Sequence, residues 1–209
     1  MTALSFGLLC FSSLFTVIDP VAAAPIFVSL THGKSRADIR SIALRACAVA
    51  LIVLVVFAVS GALVFRVFGI TLDAFRIGGG LVFLTIGLPM MTGHGAKKID
   101  PKDDEPTDPS VVPIGVPLLA GPGAITTVMV LMGQSRGAAH AAALVAALVL
   151  ALAATFASLV VAPLLLKRLG ASGLQLVTKV MGLIVVVLGV QLVIDGIRPV
   201  VIGILHAAH

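Results

Sequence analysis

The chain contains no tryptophan and no tyrosine. The amphipathic aromatic belt common at membrane–water interfaces is therefore missing, and the ten phenylalanines lack the polar atom needed to replace it. Cysteine is equally scarce. Cys10 and Cys47 both lie in apolar runs, and no CxxC or mixed Cys/His spacing accompanies them, which excludes a disulfide scaffold and a structural metal site. Charged residues make up only 11% of the 209 positions, against about 25% in soluble globular domains. None of the five histidines sits deep in an apolar run, and HExxH does not occur. Without a nucleophile–base pair or a metal set, no enzyme is expected, and no cofactor or metal.

What is abundant is apolar surface. Hydrophobic residues account for 59% of the chain and the mean hydropathy is +1.20. Six runs reach the roughly 20 residues that cross a ~30 Å hydrocarbon core. They cover approximately 3–30, 41–65, 70–92, 112–133, 138–166 and 174–198. The sequence thus predicts an all-α integral membrane protein with six transmembrane helices and lipid around them. Residues 1–92 form a first three-helix unit, 93–111 a polar linker, 112–200 a second unit and 201–209 a tail. Ala22-Ala23-Ala24 resembles a leader cleavage site, but no basic residue precedes the apolar run, and the segment has a downstream counterpart, so it reads as mature structure.

The net charge of +5 would suggest a nucleic-acid partner in a soluble protein. Here the basic residues lie between apolar runs, where they set orientation instead. Connections after the first, third and fifth runs hold Lys34, Arg36, Arg40, Lys97, Lys98, Lys102, Lys167 and Arg168, eight in all, against four (Arg66, Arg76, Arg136, Arg198) on the other side. The bias places the linker in the cytoplasm and both termini outside it.

An offset of 102 lays one half over the other. Asp19-Pro20 falls on Gly121-Pro122, Arg66 on Arg168, Gly80 on Gly182 and Gly87 on Gly189. Each half holds three runs, an odd number, so the second enters the membrane from the opposite side. Inverted repeats with a broken helix are a recurrent plan of secondary transporters. Both breaks are written locally. Pro20 disfavours helical geometry at Asp19, and Asp followed by Pro is a helix-starting signature; Pro25 removes a further donor. In the second half, Ala120-Gly121-Pro122-Gly123 has no capping side chain at all.

Half-helix N-termini carry about half a positive charge each. Asp19 can hold a cation or a proton, whereas Gly121, Pro122 and Gly123 offer bare amides to an anion, with Thr126 and Thr127 adding hydroxyls one turn on. Together the breaks suit a zwitterion. Asp19 is the proton-coupling candidate, because an acid at mid-membrane is costly when ionised. Arg76 reads either as its partner or as an i,i+3 mate of Asp73; Gly79 and Gly80 would admit the broken helix closely. Lys179 and Asp195 read as interfacial groups near the ends of the sixth run, which also holds Gln191.

The stretches Val116 to Val128, Asp19-Pro20 through Phe27, Arg76 to Gly80 and Met181-Gly182 through Gln191 resemble the MarC family, also called the neutral amino-acid transporter family, within the LysE-type exporter superfamily. The resemblance covers nearly the whole chain, and Ala120 to Thr127 is its specific part. It implies a six-span inner-membrane protein of bacteria or archaea that moves small neutral amino acids such as glycine, alanine or serine. The family's motif positions fall on Asp19, Pro20, Pro25, Gly121, Pro122 and Gly123. Many members read Asp-Pro-x-Gly-Asn-x-Pro; Ala22 and Ala23 stand here instead of Gly and Asn. A channel for small solutes and a non-transporting membrane protein are the alternatives. Substrate identity, direction and oligomeric state are not written in the sequence.

Overall fold

A computed structural model describes residues 2–31, 33–92, 110–166 and 170–207. The linker residues 93–109, with Lys97, Lys98, Lys102 and His94, lie outside the described residues, as do His32, Lys167, Arg168 and His209.

Helix boundaries follow the local chemistry of the chain. Thr2 caps α1 (Ala3–Ile18) through Ser5 N–H. Asp19 ends α1, its N–H donating to Phe15 O, and begins α2 (Pro20–Leu30). Ser35 caps α3 (Arg36–Phe68) by accepting from Asp38 N–H at 3.1 Å. At the far end Gly69 turns left-handed (φ 63°) and Ile70 N–H reaches back to Phe65 O, closing the helix with a Schellman-type turn. Thr71 caps α4 (Leu72–Thr92). The second half opens with a π-helical segment (Ser110–Leu119), whose last wide turn is the bond from Ala120 N–H to Gly115 O. It continues with α5 (Pro122–Gly133), α6 (Ala138–Leu166) and α7 (Gly170–Ala207).

Among the described residues five helical stretches have the length and composition to cross a membrane, and α5 is a shorter apolar helix. With the π-helical segment in front of it, α5 supplies the fourth span and brings the total to six. The first span is α1 plus α2, 28 residues and roughly 42 Å at 1.5 Å per residue. Two spans exceed their expected bounds. The second runs 36–68 because Ser35 and Gly69 set its ends rather than the hydropathy. The sixth runs through Pro199 to Ala207, since a proline deprives only one carbonyl of its partner and transmembrane helices tolerate that. The stretch 201–209 read as a tail is therefore helical as far as it is described.

The packing repeats itself under exchange of the halves. α1 lies on α6 as the π-helical segment lies on α3, α2 lies on α6 as α5 lies on α3, and α4 pairs with α7. Small residues permit these contacts. Ala43, Ala46 and Ala50 of α3 and Ala147 and Ala151 of α6 are buried in one core with Leu14, Leu54 and Val128. In lipid, where no hydrophobic force draws helices together, such close approach is the main source of cohesion. Large apolar side chains such as Leu44, Ile52, Val59 and Leu63 point outward, where lipid receives them.

The α4–α7 seam settles the direction of the repeat. A Cβ at Gly80 would lie 2.5 Å from Gly189 O, one at Gly87 would lie 2.9 Å from Gly182 O, and one at Gly196 would lie 2.6 Å from Asp73 O. As the residue number rises on α4 it falls on α7, so the two helices are antiparallel. The glycines equated by the 102-residue offset do not touch each other; they touch crosswise, Gly80 with Gly189 and Gly87 with Gly182. Only a two-fold exchange of the halves turns each contact into the other. The fold is two inverted three-helix repeats, each with a broken first helix.

Candidate functional site

The first break is closed by its own side chain. Asp19 adopts φ 46°, a left-handed geometry that Asp tolerates better than most residues. Its carboxylate Oδ1 accepts from Ala22 N–H at 3.1 Å. Pro20, at the first helical position, has no N–H to satisfy, and its carbonyl oxygen also accepts from Ser158 Oγ of α6 at 3.3 Å. Pro25 is buried within α2. Asp19 itself is exposed and has no ion pair among the described residues. Arg76 pairs instead with Asp73, Nη1 to Oδ1 3.2 Å, the i,i+3 arrangement.

The second break is left open. Gly121 precedes α5 with φ −76° and ψ 172°, and no side chain caps the helix. The first backbone bond of α5 is Ile125 N–H to Gly121 O at 3.0 Å. The amides of Gly123 and Ala124 come before it, and each is an N-terminal donor that the helix itself does not use. Beside them lies a cavity of about 210 Å³. Gly121, Pro122 and Gly123 line it together with Val17 of α1, Phe83 of α4 and Gln191 of α7; the remaining lining is aliphatic.

Glycine brings the elements to this point. A Cβ on Gly79 would overlap the ring of Pro122, and one on Gly123 would lie 3.1 Å from Val17 Cγ1. The latter contact makes the two breaks neighbours, since Val17 is two residues before Asp19. Of the residues expected at the site, Gly121, Pro122 and Gly123 line the cavity; Asp19, Pro20, Thr126 and Thr127 do not. The threonine hydroxyls both donate to Gly123 O, at 2.9 and 2.8 Å, so their protons serve their own helix. Gly80 sits on the α7 seam rather than at the break. Gln191 stands in the sequence only as a polar residue of the sixth run, not as part of the site, and Ser158 is not singled out there. No local signal marks either, because each is a lone polar residue on a helix whose inward face is set by packing.

A larger opening of about 430 Å³ lies at the α5–α6 connection, lined by Gln134, Ser135, Arg136 and His140, with the His140 ring 4.9 Å from that of Phe6. It is remote in sequence from both breaks. Among the described residues no group of His, Cys, Asp or Glu is arranged to hold a metal ion.

The comparisons with known proteins place the chain among integral membrane proteins. The family model described as MarC family integral membrane protein matches residues 4–201. A UPF0056 membrane protein of Methanocaldococcus jannaschii is 35% identical over 87% of this chain and 91% of its own. The UPF0056 membrane protein YvbG of Bacillus subtilis is 32% identical, with 87% and 89% covered, and YhcE of Escherichia coli is 30% identical, with 84% of each covered. No solved structure matches the chain. The chain belongs to the MarC family of multi-pass membrane proteins.

Proposed function

We propose that this MarC-family protein is a secondary carrier for small neutral amino acids of the glycine, alanine and serine type, acting in the cytoplasmic membrane. The observation that carries the reading is the uncapped N-terminus of α5 opening into a 210 Å³ cavity at a mid-span break. A helix end with free amides and about half a positive charge attracts a carboxylate. In a membrane such an end is sustained only where protein, water or ligand faces it. The cavity is smaller than the roughly 300–1,000 Å³ of sites for drug-sized ligands, and Phe83 and the aliphatic lining leave little room for a large side chain. Inverted repeats with broken helices fit a carrier that alternates its access.

Asp19 is the proposed coupling group, exposed at the neighbouring break with one carboxylate oxygen beyond its cap. The distribution of Lys and Arg supports a cytoplasmic 93–111 linker and termini on the other side, which single cysteines at Asp103 and Ala207, labelled from each face, would test. The functional test is counterflow of labelled alanine in proteoliposomes, with and without a pH gradient. Glycine and serine should compete well, and leucine and phenylalanine poorly. A flux that does not saturate would replace the carrier with a channel, and equal competition by phenylalanine would remove the small-substrate claim.

A further inference from the structure

An amino acid has two charged ends, and the α5 terminus serves only one of them. Another part of the lining must supply an acceptor for the ammonium group. Asp19, the acid first expected to do so, does not line the cavity, and one of its carboxylate oxygens is engaged by Ala22 N–H. Among the lining residues a single side chain is polar, that of Gln191 on α7.

The orientation of that side chain is fixed by what lies behind it. Gln191 Nε2 donates to Asp195 Oδ1 at 2.8 Å, one helical turn further along α7. An ionised carboxylate only accepts, so the amide NH₂ must face it, and Oε1 is turned the other way. Oε1 accepts no hydrogen bond among the described residues. Asp195 has no ion pair among them either, so its charge is left to act through the amide. It polarises the Gln191 carbonyl and favours a cation at Oε1.

We propose that Gln191, held in orientation by Asp195, receives the ammonium group of the substrate in the cavity it lines together with Gly123 and Ala124. The site is then a dipole matched to a zwitterion, with donors on the α5 side and an acceptor backed by negative charge on the α7 side. Gln191 touches the substrate, and Asp195 is a positioning residue. The inference rests on the carrier reading and narrows it: the recognised unit is a free amino acid with both ends charged, not a carboxylate or an amine alone.

The experiment is alanine counterflow in proteoliposomes, with propionate and ethylamine as competitors that each lack one end. Both should inhibit wild-type exchange far less than glycine does. Gln191→Met keeps length and helix-forming tendency but loses the acceptor. Gln191 is exposed, so the variant should elute and melt like wild type. Its half-saturation for alanine should rise roughly tenfold or more, the scale of one hydrogen bond to a charged group, while weak inhibition by propionate stays unchanged. Asp195→Asn no longer dictates which way the amide points, and should raise the alanine constant by a smaller factor without changing discrimination by size. A Gln191→Met protein with wild-type half-saturation for alanine overturns the inference and leaves the carrier reading standing. No saturable alanine exchange by the wild-type protein overturns both.

Discussion

Three consecutive glycines in α4 face three different surroundings, and substituting each with alanine should give three different results. A Cβ at Gly78 meets nothing within 4 Å; at Gly79 it overlaps the Pro122 ring; at Gly80 it lies 2.5 Å from Gly189 O and 2.8 Å from Val193 Cγ2. Gly78→Ala should be neutral or stabilising by up to about 1 kcal/mol, the helix-propensity difference. Gly80→Ala gains the same term but must move backbone, because the Gly189 carbonyl is not a side chain that can rotate away. Restoring a tolerable contact requires α4 and α7 to part by about half an ångström, enough to forfeit about a quarter of the dispersion well of each contact along the seam. Overpacking of this kind costs about 1–3 kcal/mol, so the two variants should differ by about 2 kcal/mol after the shared helix gain cancels. Gly79→Ala pushes on Pro122 and therefore on the first turn of α5, and it should raise the half-saturation for substrate as well as lower stability.

The assay is reversible unfolding in mixed micelles, read by circular dichroism, beside alanine counterflow. Gly189→Ala should cost a similar amount, its Cβ lying 2.8 Å from Gly80 O. The double variant should cost less than the sum, because the first alanine has already parted the helices. A Gly78→Ala variant as destabilised as Gly80→Ala would refute the packing geometry, and strict additivity of Gly80→Ala and Gly189→Ala would refute the shared seam.

Other consequences concern the breaks. Asp19→Ala removes the α2 cap, at about 1 kcal/mol, and leaves an alanine in the left-handed region, at about 1 kcal/mol more; the melting transition should fall accordingly, while Asp19→Asn stays close to wild type. If Asp19 couples transport to protons, Asp19→Asn should abolish pH-driven accumulation and retain exchange, and accumulation that persists along a pH gradient would remove that role. Gly121→Ala and Gly121→Asp share one steric conflict, a Cβ 2.6 Å from Pro117 O, but only aspartate brings a carboxylate to α5. Gly121→Asp should therefore be the more stable of the two by about 1 kcal/mol and the weaker in alanine exchange; the reverse order in exchange would count against carboxylate binding at this helix end.

Local chemistry made much of this fold legible. Asp19-Pro20 and Gly121-Pro122 declared the breaks because capping and the missing proline donor act within a turn. The i,i+3 spacing of Asp73 and Arg76 offered their pair as one of two readings for Arg76, and the structure selects it. The 102-residue offset found the repeated glycines but not that they pair crosswise, since which residues face each other depends on the direction of the helices. The π-helical turns before Gly121 were read as part of one interrupted helix, because Pro117 shows where a donor is missing and not how the chain accommodates it. That Gln191 lines the cavity was hidden for a different reason. α7 is apolar around most of its circumference, so nothing in its periodicity tells the side facing the cavity from the side facing lipid.

The repeat is kept where helices pack and broken where ligand chemistry is expected. Gly80 and Gly182, Gly87 and Gly189, and Pro20 and Pro122 are equivalent pairs with equal residues. Asp19 corresponds to Gly121, and Gln191 to Pro89. At the first break a carboxylate built into the chain accepts from the α2 terminus; at the second the equivalent position has no side chain, and the helix end faces a cavity instead. Two capped breaks would leave no amide for a substrate carboxylate. Two uncapped breaks would leave the empty protein with twice the exposed donors, each costing several kcal/mol in a low-dielectric surrounding. One of each lets the empty carrier persist while keeping a binding end, with Asp19 at the first break standing where the substrate carboxylate would stand at the second.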